Sequence, residues 1–449
     1  MGRFVTVDRS TDYLLPPSVE DWLPSGHVAR FVVEIVERLD LSALEGAYAS
    51  RGSDAHHPAV LLGLLIYGYI TGVYSSRAIE RATYDSIAFR YIAANTYPDH
   101  DTINTFRGRF LKEIEALFVQ VLEIAAEMKL LNLGTISLDG TKIKANASRH
   151  SAVSHGHAKA LRERLREEVA ELMRRAQVAE AIPDHVSLPK EIERRQSRVA
   201  ALDGAIAKIE AQAKELDVRE QAEFEAKQAR REALAAEGKK PRGPDPKPPQ
   251  SGPRDSDQLN LTDEESRIMP AAGGGFDQAY NAQAAVDAES LLIVGRAVTQ
   301  ATNDRQQVEP MVAELQTLPE SVGSAQTLLG DAGYFSRANA ERCVAAGIEP
   351  LFAMGRETHH WPLAQRLREP PSAPPADADA ITRMKHTLRT PDGRSRYAQR
   401  KCTVEPVFGI IKQAMRFRQF LLRGLAKVTG EWNLVCMAWN IKRMAVLSG

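Results

Sequence analysis

The 449-residue sequence predicts a mixed α/β core, split by a long helical insert and preceded by an all-α segment. Three observations carry that expectation. Helical periodicity dominates to about residue 130, and short β-type runs alternate with amphipathic helices after about residue 275. Between them, from about His155 to Glu237, the chain is rich in Ala, Glu, Arg and Lys and nearly free of aromatics. A 43% hydrophobic content suffices for buried cores and excludes wholesale disorder. The 58 Lys and Arg balance 58 Asp and Glu, which excludes a uniformly basic coat protein but leaves local patches open.

The first segment, 1–130, contains apolar stripes at helical spacing: Val28, Phe31, Val32, Ile35 and Leu39, then Leu117, Phe118, Val121 and Ile124. Pro58–Ser76 is uncharged and strongly apolar, yet barely long enough to span a bilayer and interrupted by Gly63, Gly68 and Gly72, so it reads as a buried helix. Ser76–Ala94 reads as a further helix with Ala78, Ile79, Tyr84, Ile87 and Ala88 toward a core. Asp101 is the expected cap of a helix from about Thr102. Residues 131–154 open the α/β core, with a strand ending at Asp139-Gly140. The insert, 155–257, carries two apolar stripes, one through Leu161, Leu165, Val169, Leu172 and Ala176. The other runs through Ile192, Val199, Leu202, Ile206, Ile209, Ala213 and Leu216, with Arg195 intruding, which suggests an antiparallel coiled coil. Ile182-Pro183 separates the stripes. The exit, Gly238–Asp257, is a proline-rich linker that is not expected to pack, and Glu369–Ala380 is a second such run. Residues 258–449 resume the core: a hairpin from Gln278–Asp287 and Leu291–Thr299, helix Val308–Leu318, a strand into Asp331, helix Ser336–Ala346, strand Ile348–Met354 and helix Tyr397–Phe417.

Chemistry points to three acids. Asp139 and Asp331 each follow an apolar strand and precede a turn-forming residue, where a ligand can approach the sheet. Glu405 lies in a helix crowded by Arg396, Arg400 and Lys401. Converging carboxylates repel unless cations hold them, and hard Mg²⁺ or Mn²⁺ suits oxygen donors; two ions would serve phosphodiester displacement. Taken singly, an Asp at a strand end is commonly just a turn former.

The surrounding words sharpen this. Ile136-Ser-Leu-Asp139-Gly-Thr-Lys-Ile-Lys-Ala-Asn146, Asn260-Leu-Thr-Asp-Glu-Glu-Ser-Arg-Ile-Met269, Tyr280-Asn-Ala-Gln-Ala-Ala-Val-Asp287 and Leu329-Gly-Asp331-Ala-Gly-Tyr-Phe335 occur in order, followed by Tyr397, Arg400, Glu405 and Lys412. Together they resemble bacterial insertion-sequence transposases of the DDE type, in the IS-five-related (IS eleven-eighty-two) group. His57-Pro-Ala-Val-Leu-Leu through Tyr97-Pro-Asp-His-Asp-Thr-Ile-Asn-Thr-Phe-Arg107 is similar to the helical domain preceding the core in that group. The resemblance implies an RNase H-like core and metal-dependent cleavage and strand transfer of DNA. It also implies that Asp139, Asp331 and Glu405 hold two Mg²⁺ (or Mn²⁺) ions, and that the group's Tyr, basic, Glu and Lys signature falls on Tyr397, Arg400 or Lys401, Glu405 and Lys412. Three residues separate Lys401 from Glu405 and four separate Arg400, so either basic residue can fill the role. Double-stranded DNA is the implied partner, engaged by a homodimer or larger synaptic complex. A metal-dependent nuclease without strand transfer and a non-catalytic DNA-binding regulator are the alternatives.

Charge distribution agrees with a DNA partner. From Ile381 to Gly449 there are fourteen Lys and Arg against three acids, Asp392, Glu405 and Glu431, a local charge of +11. Arg416, Arg418 and Arg423 follow Glu405 closely and are candidate phosphate contacts, with Phe417 and Phe420 interleaved. Trp432, Cys436 and Trp439 share an apolar stripe and read as core. Cys343, Cys402 and Cys436 form no C-x-x-C, which excludes a disulfide framework and a cysteine-rich zinc site. His150, His155 and His157 lack metal-ligand spacing, Gly273-Gly-Gly275 lacks the Gly-Lys-Ser/Thr of a phosphate loop, and His359-His360 reads as loop. The opening, Met1 to Glu20, lacks a signal-peptide pattern; a cytoplasmic, nucleoid-associated protein without a membrane span is expected.

Overall fold

A computed structural model describes residues 18–48, 55–178, 187–238, 244–271, 273–355, 372–375 and 377–449. The Ile182-Pro183 separator, His359-His360 and parts of both proline-rich runs lie outside these residues. The chain divides into two units, Met1–Ala145 with Ala279–Gly449, and Asn146–Gln278.

In the first unit, five strands lie in the order β3-β2-β1-β4-β5: β1 (Leu133–Lys144), β2 (Phe276–Asp287), β3 (Ile293–Thr299), β4 (Gly323–Gly330) and β5 (Glu349–Phe352). β2 pairs antiparallel with β1, and β3 antiparallel with β2, as the expected hairpin. β4 runs parallel to β1 and β5 parallel to β4, so the sheet is mixed. Ile136, Leu138, Leu328, Leu329, Leu351 and Phe352 are fully buried, as the central strands of a sheet covered on both faces require. β1 does not stop at Asp139-Gly140. It continues to Lys144, paired with β2 throughout, so Asp139 is a mid-strand residue and Gly140 is not a turn. The pairing Lys144↔Ala279 also brings the two ends of the intervening unit to neighbouring points of the sheet.

The C-terminal helix, Leu425–Ser448, organises this unit. It buries Trp432, Leu434, Val435, Cys436, Met437, Ala438, Trp439 and Ile441 on all sides, packing on β3 and on helices Pro58–Thr71 and Leu111–Glu127. Its polar groups are matched. Asn440 accepts the Ile293 N–H and donates to the Ile293 carbonyl, both at 2.8 Å, which satisfies backbone on the edge strand β3. The indoles of Trp432 and Trp439 donate to the carbonyls of Gln283 (3.0 Å) and Leu291 (2.9 Å). Glu431, fully buried, accepts the Tyr69 hydroxyl at 2.9 Å and the Leu421 and Leu422 N–H groups at 3.0 Å. Burial pushes its carboxyl up, and those donors oppose the shift.

Helix Pro58–Thr71 buries eleven side chains or backbones from Pro58 to Ile70 and stops at Gly72, whose φ of +82° favours glycine. No single helix among the described residues is long and apolar enough to cross a membrane; only the pair Pro58–Thr71 and Ser76–Asp85, bent by 94°, reaches the length and composition together. Three local expectations need correction. Asp99, not Asp101, caps the helix His100–Arg109, accepting the Thr102 N–H at 2.8 Å. The expected helix Ser76–Ala94 breaks at Ser86, whose backbone is extended, and this leaves Tyr84 59% and Ile87 47% exposed rather than in a core. The expected helix Tyr397–Phe417 is two helices, Pro391–Ala398 and Arg400–Gln413, the second accommodating Pro406 in its interior.

In the second unit, helices His155–Val178 and Leu188–Ala236 pack antiparallel. Ala158, Leu202, Ala205, Ile206 and Ile209 form the seam, sealed by Leu161 and Leu165 and by a two-stranded ladder of Ala152–Ser154 with Gln258–Asn260. Arg195 is not a flaw in the seam, because it reaches across to Glu168 at 2.8 Å, and Arg162 and Arg166 reach Asp203 at 3.1–3.2 Å. The described part of the linker is not free of packing: Asp245 pairs with Arg231, Gly252 donates to Asp217 (2.8 Å) and Arg254 pairs with Glu220 (3.2 Å).

Tyr69→Phe is expected to lower stability by about 1–3 kcal/mol, because it removes a donor from a buried carboxylate without opening a large cavity. Denaturant melts that place the variant within a few tenths of wild type would show that Glu431 is satisfied by its backbone donors alone.

Candidate active site

The parallel pairing of β1 with β4 sets the geometry. Ser137 lies opposite Leu329; Asp139 comes two residues further along β1, and Asp331 follows the end of β4 at Gly330, near enough for its charge to reach Asp139. Because side chains alternate along a strand, Asp139 shares a face of β1 with Ser137 and Thr141. Asp331 leaves β4 in a turn: its carboxylate accepts the Gly333 N–H at 2.7 Å and its carbonyl accepts the Tyr334 N–H at 3.2 Å. Asp139 accepts the Gly140 N–H at 2.8 Å. Burial pushes the Asp139 carboxyl up to about 6, the Gly140 hydrogen bond opposes this, and the neighbouring charge of Asp331 adds to it.

The basic groups around this pair come from the late helices. The Arg400 guanidinium bridges to Glu405 at 3.2 Å; Glu405 is itself 49% exposed. Burial lowers the proton affinity of Arg400, but the fields of Tyr397, Glu405 and Asp139 outweigh it. Arg400 Nε is buried without a partner. Lys401, by contrast, is exposed. The Tyr397 hydroxyl lies 3.4 Å from the Gly330 carbonyl, next to Asp331. Lys412 donates to Thr141 Oγ1 and, at 3.2 Å, to the Lys142 carbonyl; burial lowers its proton affinity and Asp139 opposes that. The structure therefore brings together Asp139, Asp331, Arg400 and Lys412, with Glu405 and Tyr397 attached through Arg400 and Gly330.

The segment after Lys412 extends the far end of β1. The Lys144 N–H donates to the Arg418 carbonyl (3.2 Å), and the Phe420 N–H donates to the Lys144 carbonyl (2.9 Å). Arg416, Arg418 and Arg423 are exposed along it, whereas Phe417 and Phe420 are fully buried. The interleaved aromatics are thus core residues that seat the segment, not stacking groups for bases.

Residues not anticipated as part of the site surround Gly140. Asp304 accepts the side-chain amides of Asn281 (2.6 Å) and Gln283 (2.7 Å) and lies 3.6 Å from the Lys142 ammonium. Asn281 and Gln283 are fully buried, and the buried Tyr334 donates to Gln283 at 2.5 Å. A Cβ on residue 140 would lie 2.1 Å from Gln283 Nε2 and 2.7 Å from Asp304 Oδ1, which explains the glycine. Asn281 and Gln283, two carboxamides alternating with Ala282 and Ala284 in a buried stretch of strand, are the signal that could have revealed this wall.

The donor chemistry fits a hard divalent cation at Asp139 and Asp331, since Mg²⁺ is commonly held by one or two carboxylates plus water and phosphate oxygens. Among the described residues, no three His, Cys, Asp or Glu side chains are gathered closely enough to form a metal cluster. Glu405 is engaged by Arg400 instead.

Residues 248–441 match the family described as Transposase DDE domain, and residues 17–109 match Transposase domain (DUF772). The chain is a DDE-type transposase. It is the DNA transposase of an insertion-sequence element, and its mixed α/β architecture is consistent with the DDE domain. The DDE match takes in Asp331, Tyr397, Glu405 and Lys412 and starts beyond Asp139. DDE transposase domains are generally dependent on divalent metal and act on DNA. No curated protein and no solved structure matches the chain.

Gly140→Ala in this transposase is expected to cost about 1–3 kcal/mol, as for other overpacked sites, and to reduce DNA cleavage, because the new methyl must displace Gln283 or Asp304 beside Asp139. A thermal melt and a cleavage assay on the same preparation check this; unchanged values in both would mean that the wall yields freely.

Proposed function

We propose that this transposase belongs to the IS-five-related (IS eleven-eighty-two) group and cleaves and rejoins DNA with Asp139, Asp331 and Glu405 as its catalytic acids. The observation that carries the proposal is the parallel pairing of β1 with β4, Ser137 opposite Leu329, which leads Asp139 and the turn at Asp331 to one end of the pair, where the charge of Asp331 reaches Asp139. The strand order β3-β2-β1-β4-β5, with a hairpin on one side and parallel crossovers on the other, supports an RNase H-like core. On this reading residues 1–130 are the N-terminal helical domain, 131–154 and 258–449 the core, and 155–257 an antiparallel coiled-coil insert with its linker.

The residues would hold two Mg²⁺ or Mn²⁺ ions, which supply activation of water, and later of a DNA 3′-hydroxyl, and neutralise charge on the leaving oxygen. Asp139 presents its oxygens from β1 and Asp331 from the turn that follows β4. Glu405 joins them when a DNA phosphate competes for Arg400, whose unpartnered Nε is ready to donate. Arg400, rather than the exposed Lys401, then takes the family's basic position. Lys412 orients a phosphate near the scissile bond from its place over Thr141, and Tyr397 supports the turn at Asp331. Arg416, Arg418 and Arg423 bind the phosphate backbone from the segment lying along β1. Two element ends and a target are brought together by a homodimer or larger synaptic complex.

Asp139→Asn, Asp331→Asn and Glu405→Gln are each expected to reduce cleavage of an end-containing duplex in Mg²⁺ on the order of 10²-fold or more, with DNA binding nearly intact, since each keeps shape and removes a charged donor. Near-wild-type cleavage by any one of them removes that residue from the set. Replacing Arg416, Arg418 and Arg423 with Ala is expected to flatten the dependence of log affinity on log salt by about 0.9 per lost phosphate contact. An unchanged slope would place all three in solvent in the complex.

A further inference from the structure

Side chains alternate along β1, so Thr141 stands on the same face as Asp139, two residues and about 6–7 Å further along the strand. The β2 residues paired with these two are Ala284 and Ala282, both fully buried, so no large side chain of β2 rises beside them. Helix Arg400–Gln413 packs on β1, and from its last turn Lys412 reaches down to the strand. The Lys412 ammonium donates to the Thr141 hydroxyl and, at 3.2 Å, to the Lys142 carbonyl. A direct hydrogen bond thus joins this lysine to the face of β1 that carries Asp139.

Both acceptors are neutral oxygens, so they fix the direction of the ammonium without cancelling its charge. An ammonium has three N–H donors; two are used here, and the third is left for an incoming oxygen. A lysine side chain is otherwise long and flexible, and ordering it opposes binding when DNA arrives. Thr141 is suited to holding it in advance. Its branched side chain is stiff, and its backbone is paired with Ala282.

We propose that Thr141 is a positioning residue that tethers the Lys412 ammonium to β1 and so aims its remaining N–H at a phosphate oxygen of the DNA. This rests on the reading of Lys412 as a phosphate contact. Thr141 acts through Lys412, not as a ligand of DNA or of a cation. Thr141→Val keeps the branched shape and removes the acceptor, whereas Thr141→Ser keeps the acceptor.

The test has two arms on the full chain, accompanied by thermal melts. Without DNA, reductive methylation of Lys412 is followed by peptide mass spectrometry. Thr141→Val is expected to raise its rate about fivefold or more, the factor that one hydrogen bond of ordinary net strength represents. With an end-containing duplex bound at saturation in Mg²⁺, the same substitution is expected to slow single-turnover cleavage about tenfold, because the ammonium is misplaced. The melt is expected to stay near wild type, and Thr141→Ser to recover most of both readouts. In a Lys412→Met background, whose residual cleavage is followed over longer times, Thr141→Val is expected to change the rate by less than about twofold. An unchanged methylation or cleavage rate in Thr141→Val would overturn the proposal, as would a Thr141→Ser variant that behaves as Thr141→Val does. So would equal cleavage losses in both backgrounds, since Thr141 would then act on the DNA itself. If Lys412→Met cleaves like wild type, the phosphate role of Lys412 fails, while the methylation arm still decides whether Thr141 holds the lysine.

Discussion

The parallel pairing of β1 with β4 is the constraint on which the site depends. Antiparallel neighbours can be joined by a tight turn, but parallel ones need a crossover, and here the parallel pair brings together two acids 192 positions apart in the chain. A shift of one residue in that register would turn one carboxylate to the opposite face of the sheet. The register is held by what surrounds it: Ile136, Leu138, Leu328 and Leu329 are all buried between layers that cover both faces, so slippage would undo their packing. Gly330 allows β5 to approach closely, as a Cβ there would lie 2.8 Å from the Phe352 ring.

The helix Leu425–Ser448 performs the corresponding role for the rest of the unit. Its Asn440 and tryptophans satisfy backbone groups on the hairpin of β2 and β3, and its Glu431 receives Tyr69 from a helix more than 350 positions earlier in the chain. The same glutamate gathers the backbone of Leu421 and Leu422, between the exposed Arg418 and Arg423. One buried carboxylate thereby ties an N-terminal helix to the end of the basic segment, and the buried Phe417 and Phe420 anchor that segment from within.

Much of this is legible in the sequence, for physical reasons that differ from element to element. The hairpin of β2 and β3 is readable because two apolar runs flank a short polar turn, and the helical insert because its stripes keep a helical period. The continuation of β1 past Asp139 is not readable, since Gly140-Thr-Lys looks like a turn until Gln283 and Asp304 are seen lying over the glycine. Tyr84 and Ile87 look like core residues because period alone does not reveal the break at Ser86. Arg400 and Lys401 are indistinguishable by spacing, and only the fold turns one toward Glu405 and the other to solvent. Asp304 escapes notice because its partners come from a strand more than twenty positions earlier, and single-chain patterns do not encode such meetings.

The most direct test of the claim that Asp139 and Asp331 share one cation is iron-directed cleavage of the polypeptide. With Fe²⁺ in place of Mg²⁺ and a reductant and peroxide present, hydroxyl radicals cut the backbone next to the bound ion. Cuts are expected at two places in the same molecule, in β1 around Asp139 and in the turn around Asp331, and both are expected to disappear together in Asp139→Asn. Cuts confined to one of the two strands, or a pattern that survives the substitution, would contradict a shared site.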